Sequence, residues 1–204
     1  MRTRECPVEI PHLILASASP RRSALLTQIG LTFKIHPSDI VEPPHTVHAN
    51  KPASEVTQEL AALKAAAVTQ HYNHGLIIGA DTLVSLDAEL LGKPADDADA
   101  LAMLSRLSGT CHEVVTGVAL IDAATGQDTV WAETTRVYFR QLHADEITTY
   151  IESGEASDKA GAYGIQGRGA AFVRRIEGCY FNVVGLPLAS LVEHLSDFLS
   201  NVGI

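Results

Sequence analysis

The sequence predicts an α/β fold with antiparallel additions, and three observations carry that class. The apolar runs Leu13-Ile14-Leu15-Ala16 and Leu76-Ile77-Ile78-Gly79-Ala80 have the length of short buried strands. Ser54 to Gln70 and the stretch after Pro187 instead repeat apolar residues at helical intervals. Val114 to Ile121, a Thr125-Gly126 turn and a returning run through Phe139 read as an antiparallel hairpin.

Each element follows from its own residues. The first strand runs into Ser17-Ala18-Ser19-Pro20-Arg21-Arg22, where Ser19 is placed to cap a helix with Pro20 in its first position. Leu25 and Ile29 share a face of that helix, Gly30 ends it, and residues 32–36 suit a second strand. Pro37 to Pro52 lacks periodicity and reads as a surface or lid loop. In the Ser54 to Gln70 helix, Leu60, Leu63 and Ala67 are assigned to the core, with Lys64 beside that face and its amine extended outward. Asp81-Thr82 follows the second apolar run before Leu83-Val84-Ser85-Leu86 resumes it, which places a carboxylate at a strand's C-terminal edge.

Asp87-Ala88-Glu89 turns the chain toward Leu90 to Pro94, and Asp96 caps a helix carrying Leu101, Leu104 and Leu107, ended by Ser108-Gly109. In the hairpin's returning arm, Trp131, Glu133, Thr135, Val137 and Phe139 share one side. His143 to Ile151 fits a short helix, whereas Asp158 to Gly169 is glycine-rich and aperiodic, as the wall of a site is. Arg174 to Gly178 reads as a connection from Ala171-Phe172-Val173 to a strand over Cys179 to Val184. Pro187 opens a last helix with the stripe Leu188, Leu191, Val192, Leu195 and Leu199, and with Glu193, His194 and Asp197 toward solvent.

Length and composition bound the function. The 204 residues suit one domain, with room for two sub-lobes, and residues 1–10 are expected to form a flexible N-terminal extension. Lys and Arg total 15 against 24 for Asp and Glu, a net charge of −9 that repels a phosphate backbone, so no stable nucleic-acid partner is expected. Cys6, Cys111 and Cys179 form neither a metal-spaced cluster nor a disulfide framework. No run reaches about 18 apolar residues and the first residues lack a signal-peptide core, so a cytoplasmic protein with no membrane partner is expected.

Several constellations offer chemistry. Ser17, Ser19, Arg21 and Arg22 at a strand-to-helix junction present hydroxyls, guanidinium forks and helix-terminal N–H groups, the donors that phosphate oxygens require. Taken alone, the same residues equally suit a capped helix with solvated arginines. Asp81 suits a divalent-cation ligand or a water-orienting base, with Thr82 adding a hydrogen bond; a carboxylate that merely accepts backbone N–H bonds is the competing assignment. Lys64 and Lys93 suit the neutralisation of phosphate charge, and Glu42 suits a second carboxylate beside Asp81 around Mg²⁺, although for either lysine solvent exposure is the plainer reading. The amide of Gln166 both donates and accepts, as recognition of a base edge demands. No His-Glu-X-X-His, Walker-type or dinucleotide-binding pattern is present, and His112 beside Cys111 and Trp131 both read as structural.

Four separated motifs in one order add a resemblance. Ser17-Ala18-Ser19-Pro20-Arg21-Arg22, Gly79-Ala80-Asp81-Thr82, Gly92-Lys93-Pro94 and Ser157 to Gly167 resemble those of the Maf family of nucleoside triphosphate pyrophosphatases. The likeness covers about residues 11–195 and includes Asn182-Val183-Val184-Gly185-Leu186-Pro187. It implies a curved mixed sheet flanked by helices, with two lobes around a deep nucleotide cleft, as in inosine triphosphate pyrophosphatases. It also implies a cytoplasmic enzyme, often a homodimer, that releases pyrophosphate from nucleoside triphosphates. Asp81 takes the catalytic role by this resemblance, Arg21, Thr82 and Gln166 the specificity roles, and Ser17, Arg22, Glu42, Lys64 and Lys93 supporting ones. The run Asp158 to Tyr163 with Gln166 resembles the branch acting on dTTP and UTP rather than the branch acting on 7-methyl-GTP. Together with a Mg²⁺ or Mn²⁺ ion on Asp81 and Glu42, these expectations describe water attack at the α-phosphorus. A noncatalytic nucleotide sensor linked to cell division is the alternative of a different class.

Overall fold

The structure, a computed structural model, describes residues 12–41 and 51–202; residues 1–10 and Glu42, both named above, lie outside the described residues. The strands are β1 (Leu13–Leu15), β2 (Phe33–Ile35), β3 (Leu76–Leu86), β4 (Glu89–Leu91), β5 (Cys111–Asp122), β6 (Asp128–Phe139) and β7 (Val173–Glu177). The helices are α1 (Pro20–Gln28), α2 (Ala53–Thr69), α3 (Asp97–Leu107), α4 (Ala144–Glu152), α5 (Tyr180–Val184) and α6 (Leu188–Val202). The strands form one seven-stranded mixed sheet, β2-β1-β3-β5-β6-β7, with β4 also on β3. β1 pairs parallel with β2 and β3, and the other pairings are antiparallel. The α/β class with antiparallel additions is thus what the chain adopts.

Alternation along the long strands divides their side chains between two faces. On one face lie two apolar cores, one at each end. The first gathers Leu15, Leu26, Ile78, Val118, Leu120 and Leu191 under α1 and α6. The second gathers Val84, Leu104, Val114, Val137, Phe139 and Ile147 under α3 and α4. Each fully buried Leu or Ile contributes about 1.5–3 kcal/mol of transfer free energy, and Val173, Ile176 and Val183 pack against both cores. The opposite face is covered by α2, whose Val56, Leu60, Ala61 and Ala65 are fully or almost fully buried.

Glycine decides how close α2 comes. A Cβ at Gly117 would stand 2.2 Å from the backbone C and O of Thr57, and one at Gly79 only 2.1 Å from the carbonyl oxygen of Ala61. The contact face of α2 is therefore shifted from the one the leucines suggest. Leu63 is 54% exposed and Ala67 only partly covered, while Lys64 lies on the buried face. The expected outward course of the Lys64 amine is corrected by that shift.

Other expectations are corrected by local contacts. Ser19 precedes α1, but its side chain makes no capping bond; its own N–H donates to Oγ of Ser17 at 3.2 Å. Asp96 does cap α3, accepting from the N–H of Asp99. The connection assigned to Arg174 to Gly178 is largely β7, paired with the end of β6. The strand assigned to Cys179 to Val184 is the short helix α5. Its Tyr-Phe-Asn-Val-Val composition favours strands, yet Asn182 is fully buried and its amide donates to the carbonyl of Val114 and Oγ1 of Thr135, contacts that override propensity. Val192 is exposed, and Phe198 joins the buried stripe of α6. His194 stacks on Trp131 with ring centroids 3.9 Å apart rather than facing water alone.

Candidate active site

The site begins with a gap in the sheet. β5 accompanies β3 from Leu76 to Ser85, but on the other edge β1 pairs only with Leu76–Ile78 and β4 only with Val84–Leu86. Asp81 and Thr82 occupy the interval, in the middle of β3 and not at its end as the sequence suggested. The run between β1 and α1 passes this interval, and a cleft of about 690 Å³ opens there between the two apolar cores. Ser17, Arg21, Arg22, Lys64, Asp81, Thr82, Lys93 and Gln166 all line it. All the described residues singled out by sequence are thus gathered at one cavity.

Consecutive residues of β3 face opposite ways, which gives Asp81 and Thr82 different neighbours. Asp81 turns toward α2, where Nζ of Lys64 donates to its Oδ1 at 2.6 Å. Thr82 turns toward Arg22, whose guanidinium donates from Nε to the carbonyl of Gly185, from Nη1 to Oγ of Ser17 and from Nη2 to Oγ1 of Thr82. These bonds of 2.9–3.0 Å tie the start of α1, β3 and the α5–α6 junction to one planar fork.

Arg21 points across the cleft mouth. Its Nη1 donates to Oδ2 of Asp158 at 2.8 Å, and Lys159 donates to Oδ1 of the same carboxylate at 2.6 Å. Partial burial works against ionisation of Asp158, but the two cations outweigh it and hold the carboxyl at about 2. Gln166 and Lys93 are exposed residues of the cleft lining.

The glycine-rich wall is held by contacts that sequence reasoning did not find. Tyr163 lines the cleft, and its hydroxyl lies 2.8 Å from Nε2 of His112, a β5 residue buried at 2% exposure. Burial pushes the His112 imidazole down to about 4, so it is neutral at pH 7, and burial pushes the Tyr163 phenol up. The hydroxyl of Tyr150 accepts the N–H of Gly164, and the N–H of Gly161 donates to the carbonyl of Gly92. A histidine at the start of a strand whose following residues are largely apolar, together with tyrosine in an aperiodic segment, is the available signal. Lys159 and Asp158 stood in the quoted motif without an individual role.

A divalent cation fits Asp81. Its Oδ2 is buried and accepts no hydrogen bond among the described residues, which leaves lone pairs for a hard cation. No group of three or more His, Cys, Asp or Glu residues suited to a metal occurs among the described residues. An ion held here would draw its remaining oxygens from a phosphorylated ligand, water or residues outside that set, the coordination that Mg²⁺ favours.

A carboxylate and several cations line one cleft beside an α/β sheet, the donor and acceptor types that a phosphorylated ligand requires. The chain belongs to the Maf-like protein family, whose sequence model matches residues 12–198. It is 50% identical over 188 residues to the dTTP/UTP pyrophosphatase of Syntrophomonas wolfei, covering 92% of this chain and 98% of that protein. It is 50% identical to the dTTP/UTP pyrophosphatase of Pelotomaculum thermopropionicum, over 94% and 98% of the two chains. With the dTTP/UTP pyrophosphatase of a Geobacillus species the identity is 51%, over 90% and 96%. No described helix is long and apolar enough to cross a membrane.

Proposed function

We propose that the protein is a nucleoside triphosphate pyrophosphatase that hydrolyses dTTP and UTP to the nucleoside monophosphate and pyrophosphate. The observation that carries this reading is the open Oδ2 of Asp81 in a cleft that also presents Arg21, Lys64, Lys93 and Lys159. Relatives about half identical over nearly their whole length bear that activity in their names.

Asp81, with Glu42 as the second carboxylate, would hold Mg²⁺ or Mn²⁺. When bound, such an ion neutralises phosphate oxygens and makes water a better nucleophile at neutral pH. The chain's own groups do the rest. Asp81 orients the attacking water in line with the α-phosphorus. Lys64 keeps the carboxylate fixed, while Lys93 and Arg21 stabilise charge on the leaving pyrophosphate. Arg22 and Ser17 shape the loop that receives the phosphates, and Arg21, Thr82 and Gln166 select the base. Water attacks the α-phosphorus, the bond to the bridging oxygen breaks, and pyrophosphate departs.

Incubation of the protein with dTTP, UTP, CTP, GTP and 7-methyl-GTP in the presence of Mg²⁺ or Mn²⁺ tests this reading. Monophosphate and pyrophosphate in equal amounts, fastest from dTTP and UTP, are expected. Release of orthophosphate and diphosphate would overturn it. Stabilisation against heat by a nucleotide without any product would assign a sensor instead. The family resemblance also carries a homodimer, which light scattering decides.

A further inference from the structure

Thr82 and Thr116 face each other across β3 and β5 as register partners, their hydroxyl oxygens 2.9 Å apart. Considered alone, either hydroxyl could donate. Their other bonds settle the direction. Thr116 is fully buried and lies 3.1 Å from the backbone carbonyl of Asn182, which only accepts, so that bond takes the single proton of Thr116. For all the bonds to form, Thr82 must then donate to Thr116.

The Asn182 carbonyl is itself held in place. It also accepts the N–H of Gly185, and the Asn182 side-chain amide donates to Val114 and Thr135. On the cleft side, Thr82 accepts from Nη2 of Arg22 at 3.0 Å. A hydroxyl has one proton and two lone pairs. With the proton and one lone pair committed, Thr82 has one lone pair and no hydrogen left for a ligand.

We propose that Thr116 is a positioning residue that sets the hydrogen-bond polarity of Thr82, so that this point of the cleft accepts from a ligand N–H and rejects a ligand lone pair. The proposal rests on the dTTP and UTP reading above and deepens it. Uracil and thymine carry an N–H at N3, whereas cytosine carries a lone pair at the same ring position. A hydroxyl that could turn its proton either way would accommodate both. The fixed direction from Thr82 through Thr116 to Asn182 removes that freedom, and an unmatched pair of acceptors is costly once a bound ligand excludes water from between them.

The test compares kcat/KM for UTP and CTP, with Mg²⁺ supplied, in the wild type, Thr116→Val and Thr116→Ser. Valine keeps the shape but removes the acceptor for the Thr82 proton; serine retains it. The UTP-to-CTP ratio should fall about tenfold in Thr116→Val and return to the wild-type value in Thr116→Ser. Equal losses on both nucleotides, or a serine variant that behaves like the valine one, would overturn the proposal. If Thr116→Val does not fold, the wild type is tested with N3-methyl-UTP, which lacks the N–H, against 5-methyl-UTP. At least about tenfold poorer turnover of the N3-methyl compound is expected, and equal turnover counts against the assigned polarity. A wild type inactive on both UTP and dTTP sinks the proposed activity and this inference with it. An active wild type whose ratio is unmoved in Thr116→Val sinks only the role of Thr116.

Discussion

Nζ of Lys64 lies 2.6 Å from Oδ1 of Asp81, with the two side chains only 10% and 9% exposed. One charge comes from α2 and the other from the middle of β3, so the ion pair spans the contact that Gly79 and Gly117 make possible. Taking both charges out of water is costly, and close geometry offsets that cost.

Asp81→Asn therefore has two expected effects. Turnover should fall at least about 100-fold, because a neutral amide neither orients water nor draws in a cation as a carboxylate does. Stability should also fall, by about 1–3 kcal/mol, because a charge-assisted hydrogen bond to Lys64 becomes one to a neutral amide oxygen. Urea unfolding checks the second effect. The double variant Lys64→Met/Asp81→Asn should be less destabilised than the sum of the single variants, and strict additivity would refute the coupling.

Arg22→Lys should lower kcat/KM by roughly 10–100-fold on every nucleotide alike. An ammonium cannot span Ser17, Thr82 and Gly185 with the fixed geometry of a guanidinium fork. Steady-state kinetics on dTTP and UTP decide the matter: a near-normal value would show that the three elements hold their places without it.

Gly117→Ala tests the approach of α2. The added methyl would meet the Thr57 backbone, which cannot step aside as a flexible side chain does. A loss of about 3 kcal/mol or outright failure to fold is expected. Thermal unfolding within about 2 °C of the wild type would disprove the close contact, since one kcal/mol shifts the midpoint of a chain this size by roughly 2–4 °C.

Acid should destabilise the protein through His112. The folded imidazole sits at about 4, against about 6.5 for an unfolded histidine. Between those values the unfolded state binds more protons, so stability is full above about pH 6.5 and declines as pH falls toward 4, by up to about 3 kcal/mol. Chemical denaturation at pH 7.5 and 4.5 measures the decline. His112→Gln, which keeps a partner for Tyr163 but does not titrate, should show a shallower one; an identical pH slope would exclude His112 as its source.

The legible parts of the molecule are those governed by local pattern. The apolar runs at Leu13 and Leu76, the Asp96 cap and the hairpin through Thr125-Gly126 read directly as elements, because burial period and turn chemistry act over a few residues. Lys64 and α5 did not, because their placement is tertiary. The face of α2 is chosen by two glycines on other strands, and α5 is stabilised by an asparagine bonded to β5 and β6. The candidate site shows the same division. Its residue types were visible as donors and acids, but the Arg22 fork, the His112–Tyr163 contact and the direction of the Thr82 hydrogen bond depend on partners 60, 51 and 34 positions away.

The uneven edges of β3 separate two kinds of motion. Along β5 its ladder is unbroken past Asp81, whereas the glycine-rich wall from Asp158 to Gly167 belongs to no strand. Amide hydrogens around Asp81 should exchange with solvent only when the whole sheet opens, and those of the wall through smaller openings. Substitutions in the wall should therefore cost less stability than substitutions in the ladder beside it, because the wall's backbone belongs to no strand.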